Sequence, residues 1–174
     1  MGLEGIDLLL ETKKAFDITI TDADIATPRQ FIDLVAHKVA AVRTTDRRVQ
    51  GLYFDLRRGF RAALVGQPVP RLDDPLAKLF KSGNWPDIWR TVRAASGRTD
   101  LSEKIRRPGS FWTTTRTLCD LVWSLAIELA PALPQSGPWT RAEVALHIRA
   151  LIIEQGRSPA GFDEDHTWRA IGWP

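Results

Sequence analysis

Apolar residues recur mostly at three- and four-residue intervals along this chain, a spacing that predicts helices. Over Asp7 to Phe16, with Ile6 just ahead, the apolar positions Ile6, Leu9, Leu10 and Phe16 fall near that spacing. Acids stand at the front of this segment and Lys13 and Lys14 at its back, the order that suits the helix dipole. The following Asp17-Ile18-Thr19-Ile20-Thr21-Asp22 alternates like a strand but is short and isolated, so an extended loop is expected. Thr27-Pro28-Arg29-Gln30 then offers an N-cap, a proline at the first helical position and a glutamine at the third, ahead of Phe31, Leu34 and Val35. A helix should start there.

From Arg47, the positions Val49, Leu52, Leu56, Phe60 and Leu64 form one stripe, while Arg47, Arg48, Arg57, Arg58 and Arg61 fall elsewhere, predicting a basic amphipathic helix. It should stop around Gly66-Gln67-Pro68, since proline cannot donate to the helical ladder and disfavours helical geometry just before it. A loop through Arg71 to Pro75 leads to a short apolar turn, Leu76 to Phe80, and then to a helix over Trp85 to Ala95 with Pro86 in its first turn and Gly97 near its end. Thr114, Leu118, Leu121, Val122 and Leu125 mark the next helix, ended by Pro131 and Pro134. Thr140-Arg141-Ala142-Glu143 is a second capping box, followed at helical spacing by Val144, Ile148, Leu151 and Ile152 to about Glu154. The tail, Phe162 to Trp168, reads as an acidic loop or short turn ending in Trp173-Pro174.

A chain of 174 residues with 44% apolar side chains can bury one core or two small ones. The single Cys119 excludes an intramolecular disulfide and points to a reducing compartment. Leu8-Leu9-Leu10 is hemmed by Glu4, Asp7 and Glu11, so neither a signal peptide nor a membrane span is expected, and the reading is cytoplasmic. Ile6 stands where myristoylation wants Ser or Thr. The net charge of +3 is unevenly placed: residues 1–46 hold 5 basic and 8 acidic side chains, residues 47–100 hold 11 and 5, and the remainder 8 and 8.

Two segments echo one another: Thr27 to Val35 and Thr114 to Val122 both read Thr-x-Arg-x-apolar-x-Asp-Leu-Val. A second echo pairs the helix ending near Leu64, with its Leu72-Asp73-Asp74-Pro75 sequel, and the helix ending near Glu154, with its Phe162-Asp163-Glu164-Asp165 sequel. Repeated helical units imply two copies of one fold.

Leu3-Glu4-Gly5-Ile6-Asp7-Leu8-Leu9-Leu10 resembles the second helix of the acyl carrier protein family, Phe16-Asp17-Ile18-Thr19-Ile20-Thr21-Asp22 resembles its Phe-x-Ile-x-Ile-Pro-Asp segment, and Thr27 to Val39 its last helix. Residues 139–173 are similar to the family's first half, with Ile171-Gly172 where it often has Leu-Gly, so the order is permuted. Residues 47–127 resemble a second unit in the usual order. The resemblance implies an all-α fold of two small acyl-carrier-like bundles, one over 47–130 and one built from 1–42 with 139–174. It also implies a surface on the second helix that meets partner proteins, here at Glu4, Asp7 and Glu11 in one unit and at Arg90 and Arg93 in the other.

The family attaches phosphopantetheine to the serine of an Asp-Ser-Leu motif, a place occupied here by Met1-Gly2-Leu3 and by Gly83-Asn84-Trp85. Neither glycine nor asparagine offers a hydroxyl, and Ser82 is out of register by two residues, so no cofactor is expected. Residues 1–42 supply only two principal helices, too few to bury a core alone. Burying Ile148, Leu151 and Ile152 against Ile6, Leu10, Phe31 and Leu34 is the expected closure. Closure within one chain gives a two-lobed monomer; closure between chains gives an oligomer by segment exchange.

Other chemistry finds less support. His37, His147 and His166 are far apart with no metal-ligand spacing. Cys119 lies between Leu118 and Leu121 as a buried thiol, and Asp163-Glu164-Asp165 lacks the glycine and final glutamate of a calcium loop. Gly51, Gly59 and Gly66 are isolated and make no phosphate loop. No acid, base and nucleophile converge, so a non-catalytic binding or adaptor protein is expected. The competing expectation is a nucleic-acid module in which the helix over 47–65 sets Arg57, Arg58 and Arg61 on phosphates while Trp85 and Trp89 stack on bases. A third is a basic middle segment docking on an acidic protein, including the acidic first segment of another copy.

Overall fold

A computed structural model describes residues 3–20, 25–41, 47–79, 84–105, 115–130, 138–156 and 158–173. Its described residues form seven helices: α1 (Leu3–Phe16), α2 (Pro28–Lys38), α3 (Arg48–Ala63), α4 (Leu76–Leu79), α5 (Trp85–Ser96), α6 (Leu118–Glu128) and α7 (Arg141–Gly156). The fold is all-helical; among the described residues the only extended pairing is an isolated bridge between Pro75 and Thr117. The chain divides into two compact units, residues 1–46 with 130–174 and residues 47–129.

In the first unit, α1 and α2 from the beginning of the chain pack on α7 from its end. Leu8, Phe16, Ile20, Phe31, Ile32 and Val35 share a core with Val144, Ile148, Ile152, Phe162, Ile171 and Trp173. Each large side chain buried in this way contributes about 1.5–3 kcal/mol. The two ends are also joined by directional contacts. The Trp168 indole N–H donates to the Ile25 carbonyl at 2.8 Å, and Arg141 Nε donates to Asp33 Oδ1 at 2.8 Å. The Arg29 amide donates to the Glu164 carbonyl at 2.9 Å.

The caps follow the local sequence. Thr27 Oγ1 accepts from the Gln30 amide at 3.3 Å with Pro28 in the first turn, and Thr140 and Glu143 cap α7 reciprocally. The rotation of α1 differs from expectation. Ile6 and Leu10 are 50% and 55% exposed, while Gly5, Leu8, Thr12 and Phe16 are buried. Leu34 and Leu151, expected in the core, pack at its margin, partly buried. Three consecutive leucines let periodicity pick any of several faces; the Phe16 ring, edge-on to both Trp139 and His147, belongs to the face that is buried.

In the second unit α3 packs on α5 and α6. Leu52, Leu56, Gly59 and Phe60 of α3 are buried, as the stripe predicted, with Val49 half-buried. The α5 helix ends at Gly97 in the left-handed region, φ 73°, the position the sequence marked. The loop before α4 is tied to the start of α6: the Leu76 amide donates to the Arg116 carbonyl and the Cys119 amide to the Leu72 carbonyl, both at 2.9 Å. Phe80 lies outside the described residues, as do Thr21, Asp22, Thr114, Pro131 and Pro134.

The Thr-x-Arg echo does not put the two helix starts in register. Thr27 caps α2, but α6 is capped by Thr117, whose Oγ1 accepts from the Asp120 amide at 3.2 Å while Asp120 Oδ2 accepts from the Thr117 amide at 2.9 Å. Asp120 also fixes the Arg116 amide at 2.9 Å, which a helix beginning three residues earlier would forgo.

Candidate partner-binding faces and a buried arginine

The solvent face of α1 is apolar and acidic together. Ile6 and Leu10 are one helical turn apart, and Asp7 and Glu11 beside them are exposed, with Lys14 closing the face one turn on. Glu4 lies in the first turn of α1, but its side chain lies outside the described residues. The sequence supplied the acids of this face; Ile6 and Leu10 were assigned to the core and belong with them instead.

The arginines of the second unit divide by task. Arg90 is exposed and pairs with Asp87 at 2.8 Å, a surface pair of one helical turn worth well under 1 kcal/mol. Arg93 is less free than expected: it pairs with Glu103 at 3.4 Å and donates to the Thr99 carbonyl at 3.2 Å, tying the segment after α5 back onto that helix. Arg58 donates to Asp55 and to the Ser96 carbonyl, each at 2.8 Å, so it satisfies the end of α5. The Arg57 guanidinium stands 6.0 Å from the Tyr53 ring centroid, and Arg61 is exposed. Arg98 chelates Asp100, at 2.9 and 2.7 Å, and this hydrogen bonding holds the Asp100 carboxyl below its ordinary range.

Trp85 and Trp89 are core residues and not base-stacking platforms. Both are buried, their rings stack with centroids 5.8 Å apart, and their indole N–H groups donate to the carbonyls of Ile105 and Ser102 at 3.0 and 2.9 Å. Asn84 is the N-cap residue of α5 but makes no side-chain cap. Ser82, Met1 and Gly2 lie outside the described residues.

A residue that sequence reasoning passed over organises the acidic tail. Arg149, on α7 between Ile148 and Ala150, is only 2% exposed. Its Nη1 donates to the carbonyls of Ala160 and Phe162, both at 2.9 Å, and its Nη2 pairs with Glu164 Oε1 at 2.8 Å. The guanidinium lies 4.1 Å from the Phe162 ring centroid, so one planar fork satisfies a returning loop and stacks on its aromatic residue. Arg29 grips the next residue, donating through Nε to Asp165 Oδ1 and through Nη2 to Asp165 Oδ2 at 3.0 Å. Hydrogen bonding to Arg29 lowers the Asp165 carboxyl and raises the Arg29 guanidinium. Two of the three tail acids are thus structural partners of arginine, and Asp163 faces His166 at 3.8 Å.

No protein-family model, curated protein or solved structure matches this chain. Its chemistry is read from its own residues. His147 is half-buried against the Phe16 ring, centroids 5.4 Å apart, and burial lowers its pKa. His37 and His166 are exposed at other places on the first unit. Cys119 was expected to be buried and is half-buried, because its place on α6 lies beside the inward line of Leu118, Leu121, Val122 and Leu125. Among the described residues no group of three or more His, Cys, Asp and Glu side chains is placed to hold a metal ion, and no helix is long and apolar enough to cross a membrane.

Proposed function

We propose that this chain is a non-catalytic, acyl-carrier-like binding or adaptor protein that carries no prosthetic group and meets a partner protein through the solvent face of α1. The observation that carries the reading is the exposed pair Ile6 and Leu10, flanked by Asp7 and Glu11 on a helix whose opposite side is already committed to the core. Leaving two large aliphatic side chains half in water while Leu8 and Phe16 are buried makes a recognition surface, in which the apolar pair gives affinity and the acids give register.

The carrier-like part of the reading expects two copies of one fold, and the two units share an order of helix lengths. A 16-residue helix packs on helices of 12 and 11 residues in one unit, α3 with α5 and α6. In the other a 16-residue helix packs on helices of 14 and 11 residues, α7 with α1 and α2. The absence of a prosthetic arm rests on Gly2 and Asn84, which have no hydroxyl to form a phosphodiester.

The test has two arms. Incubation with coenzyme A and a phosphopantetheinyl transferase leaves the intact mass unchanged; a mass gain mapped to Ser82 returns the protein to the loaded carriers. Proteins retained by the immobilised chain are compared with those retained by a variant carrying Ile6→Ser and Leu10→Ser. Loss of a specific protein from the variant supports the α1 face, and identical retention by both removes it.

A further inference from the structure

The two units carry opposite charge. Residues 1–46 and 130–174 hold 9 basic and 13 acidic side chains, a net −4, and residues 47–129 hold 15 and 8, a net +7. Each unit also exposes a large apolar side chain on the solvent side of a helix, set among charges of that unit's own sign.

On α3 the buried line is Leu52, Leu56, Gly59 and Phe60. With 3.6 residues per turn, the opposite side of the helix falls at Phe54, which is 54% exposed. Arg47 and Arg61 stand about two turns before and after Phe54 on the same line, both exposed, and Arg58 lies one turn on. Within its own unit the Phe54 ring meets the Tyr53 ring, centroids 5.2 Å apart, and the rest of it is left in water at the most solvent-facing position of the helix. With Arg47 and Arg61 beyond it in both directions and Arg58 paired with Asp55, the ring suits a surface that is apolar at its centre and acidic at its ends. The solvent face of α1 has Ile6 and Leu10 beside Asp7 and Glu11 and matches that composition up to Lys14, which closes it.

We infer that copies of this chain associate, the α1 face of one copy docking on the α3 face of another, with Phe54 against Ile6 and Leu10 and with Arg47 and Arg61 toward Asp7 and Glu11. The inference rests on the proposed α1 recognition face and names its partner as a second copy. The two surfaces differ, so the contact either pairs reciprocally in a twofold dimer or extends into rings or open chains. Charge complementarity makes the association salt-sensitive and penalises like-on-like pairing of two α1 or two α3 faces.

Sedimentation velocity on the full chain, across a concentration series at low and high salt, tests this. The average mass of the wild type rises above the monomer with concentration and falls back as salt is added. Two charge-reversed variants separate the faces, one with Asp7→Lys and Glu11→Lys, the other with Arg47→Glu and Arg61→Glu, each first shown by circular dichroism to keep its helices. Either variant alone associates at least about tenfold more weakly than the wild type, and an equal mixture of the two recovers association because each now complements the other. A wild type that stays monomeric throughout overturns the inference, as does a mixture of folded variants that fails to recover. If the monomeric chain is held on a nucleic-acid column and the Arg47→Glu, Arg61→Glu variant is not, the α3 face reads phosphates and self-docking is equally overturned. A monomeric wild type leaves the α1 recognition reading standing, since that reading fails only on retention that survives Ile6→Ser with Leu10→Ser.

Discussion

Gly59 of α3 meets Val92 of α5 backbone to backbone: a Cβ built at Gly59 would overlap the Val92 carbonyl oxygen and stand 2.9 Å from Val92 Cγ1. Glycine is therefore a packing residue here, and it sets how closely the two helices approach.

Gly59→Ala should destabilise the second unit by about 1–3 kcal/mol, because the overpacking exceeds the gain in helix propensity. Urea unfolding measures it. Adding Val92→Ala should not restore stability, since the nearest obstacle is the carbonyl oxygen and trimming the side chain leaves it in place. A double variant as stable as the wild type would show that the two helices part without cost.

Ala40 is the converse case. It sits just past α2 with φ 51°, in a motif where the Ala41 amide donates to the Ala36 carbonyl at 2.8 Å and the Ala40 amide to the His37 carbonyl at 3.1 Å. This paired bonding closes many helices, with glycine usually at the left-handed position, where an L side chain is strained by about 1–2 kcal/mol. Ala40→Gly should raise stability by about 0.5–1 kcal/mol after the added freedom of the unfolded chain is subtracted. A lower melting temperature would contradict this.

The Arg149–Glu164 pair makes a different demand. Removing the arginine leaves a carboxylate that is 12% exposed and two loop carbonyls without the donor that holds them. Arg149→Met should cost about 3–5 kcal/mol, read as loss of amide-exchange protection over residues 144–152. Arg149→Lys should fall nearly as far, because one ammonium cannot span three acceptors and stack on Phe162. Replacing Glu164 by Met as well should recover only part of the loss, since the carbonyls of Ala160 and Phe162 stay unsatisfied.

What was legible in the sequence was what neighbours decide. Thr27 with Pro28, Thr140 with Glu143, and Gly97 each fix a helix end through bonds within a few residues, and the stripe from Leu52 to Phe60 admits one rotation. The rotation of α1 was not legible, because Leu8, Leu9 and Leu10 are interchangeable until Phe16 is set against Trp139 and His147, which lie more than a hundred residues away. The start of α6 slipped for a related reason: Thr114 and Thr117 are both acceptable caps, and Asp120 completes the second. Arg149 was hidden in an apolar run, where a charge reads as a helix's polar edge. Only the return of Ala160, Phe162 and Glu164 over α7 makes it a buried anchor. Of the candidate contact residues, the acids of α1 were found by charge and spacing. Ile6 and Leu10 were assigned to the core because apolar residues at helical spacing are placed there by default, and Phe54, off the α3 stripe, was not singled out.

His147 gives the first unit a pH dependence whose sign follows from burial. The half-buried ring, edge-on to Phe16, is favoured in its neutral form, so its pKa in the folded state lies below the ordinary value of about 6.5. The unfolded chain then binds the proton more readily than the folded one. Stability is fully present above about pH 6.5 and is lost as pH falls from there toward the lowered folded value, at no more than about 1.4 kcal/mol per pH unit from this group. The carboxylates of Asp100 and Asp165, lowered by their arginine partners, lose their stabilising charge only in more acid solution, as pH falls below about 3.9. Subtracting the unfolding free energies of a His147→Leu variant from those of the wild type between roughly pH 5 and 7.5 isolates the histidine. The difference should shift against the wild type as pH falls through this range. A difference that does not change with pH would mean that the ring is protonated as readily in the folded chain as in the unfolded one, and that the Phe16 face of α7 is open to water.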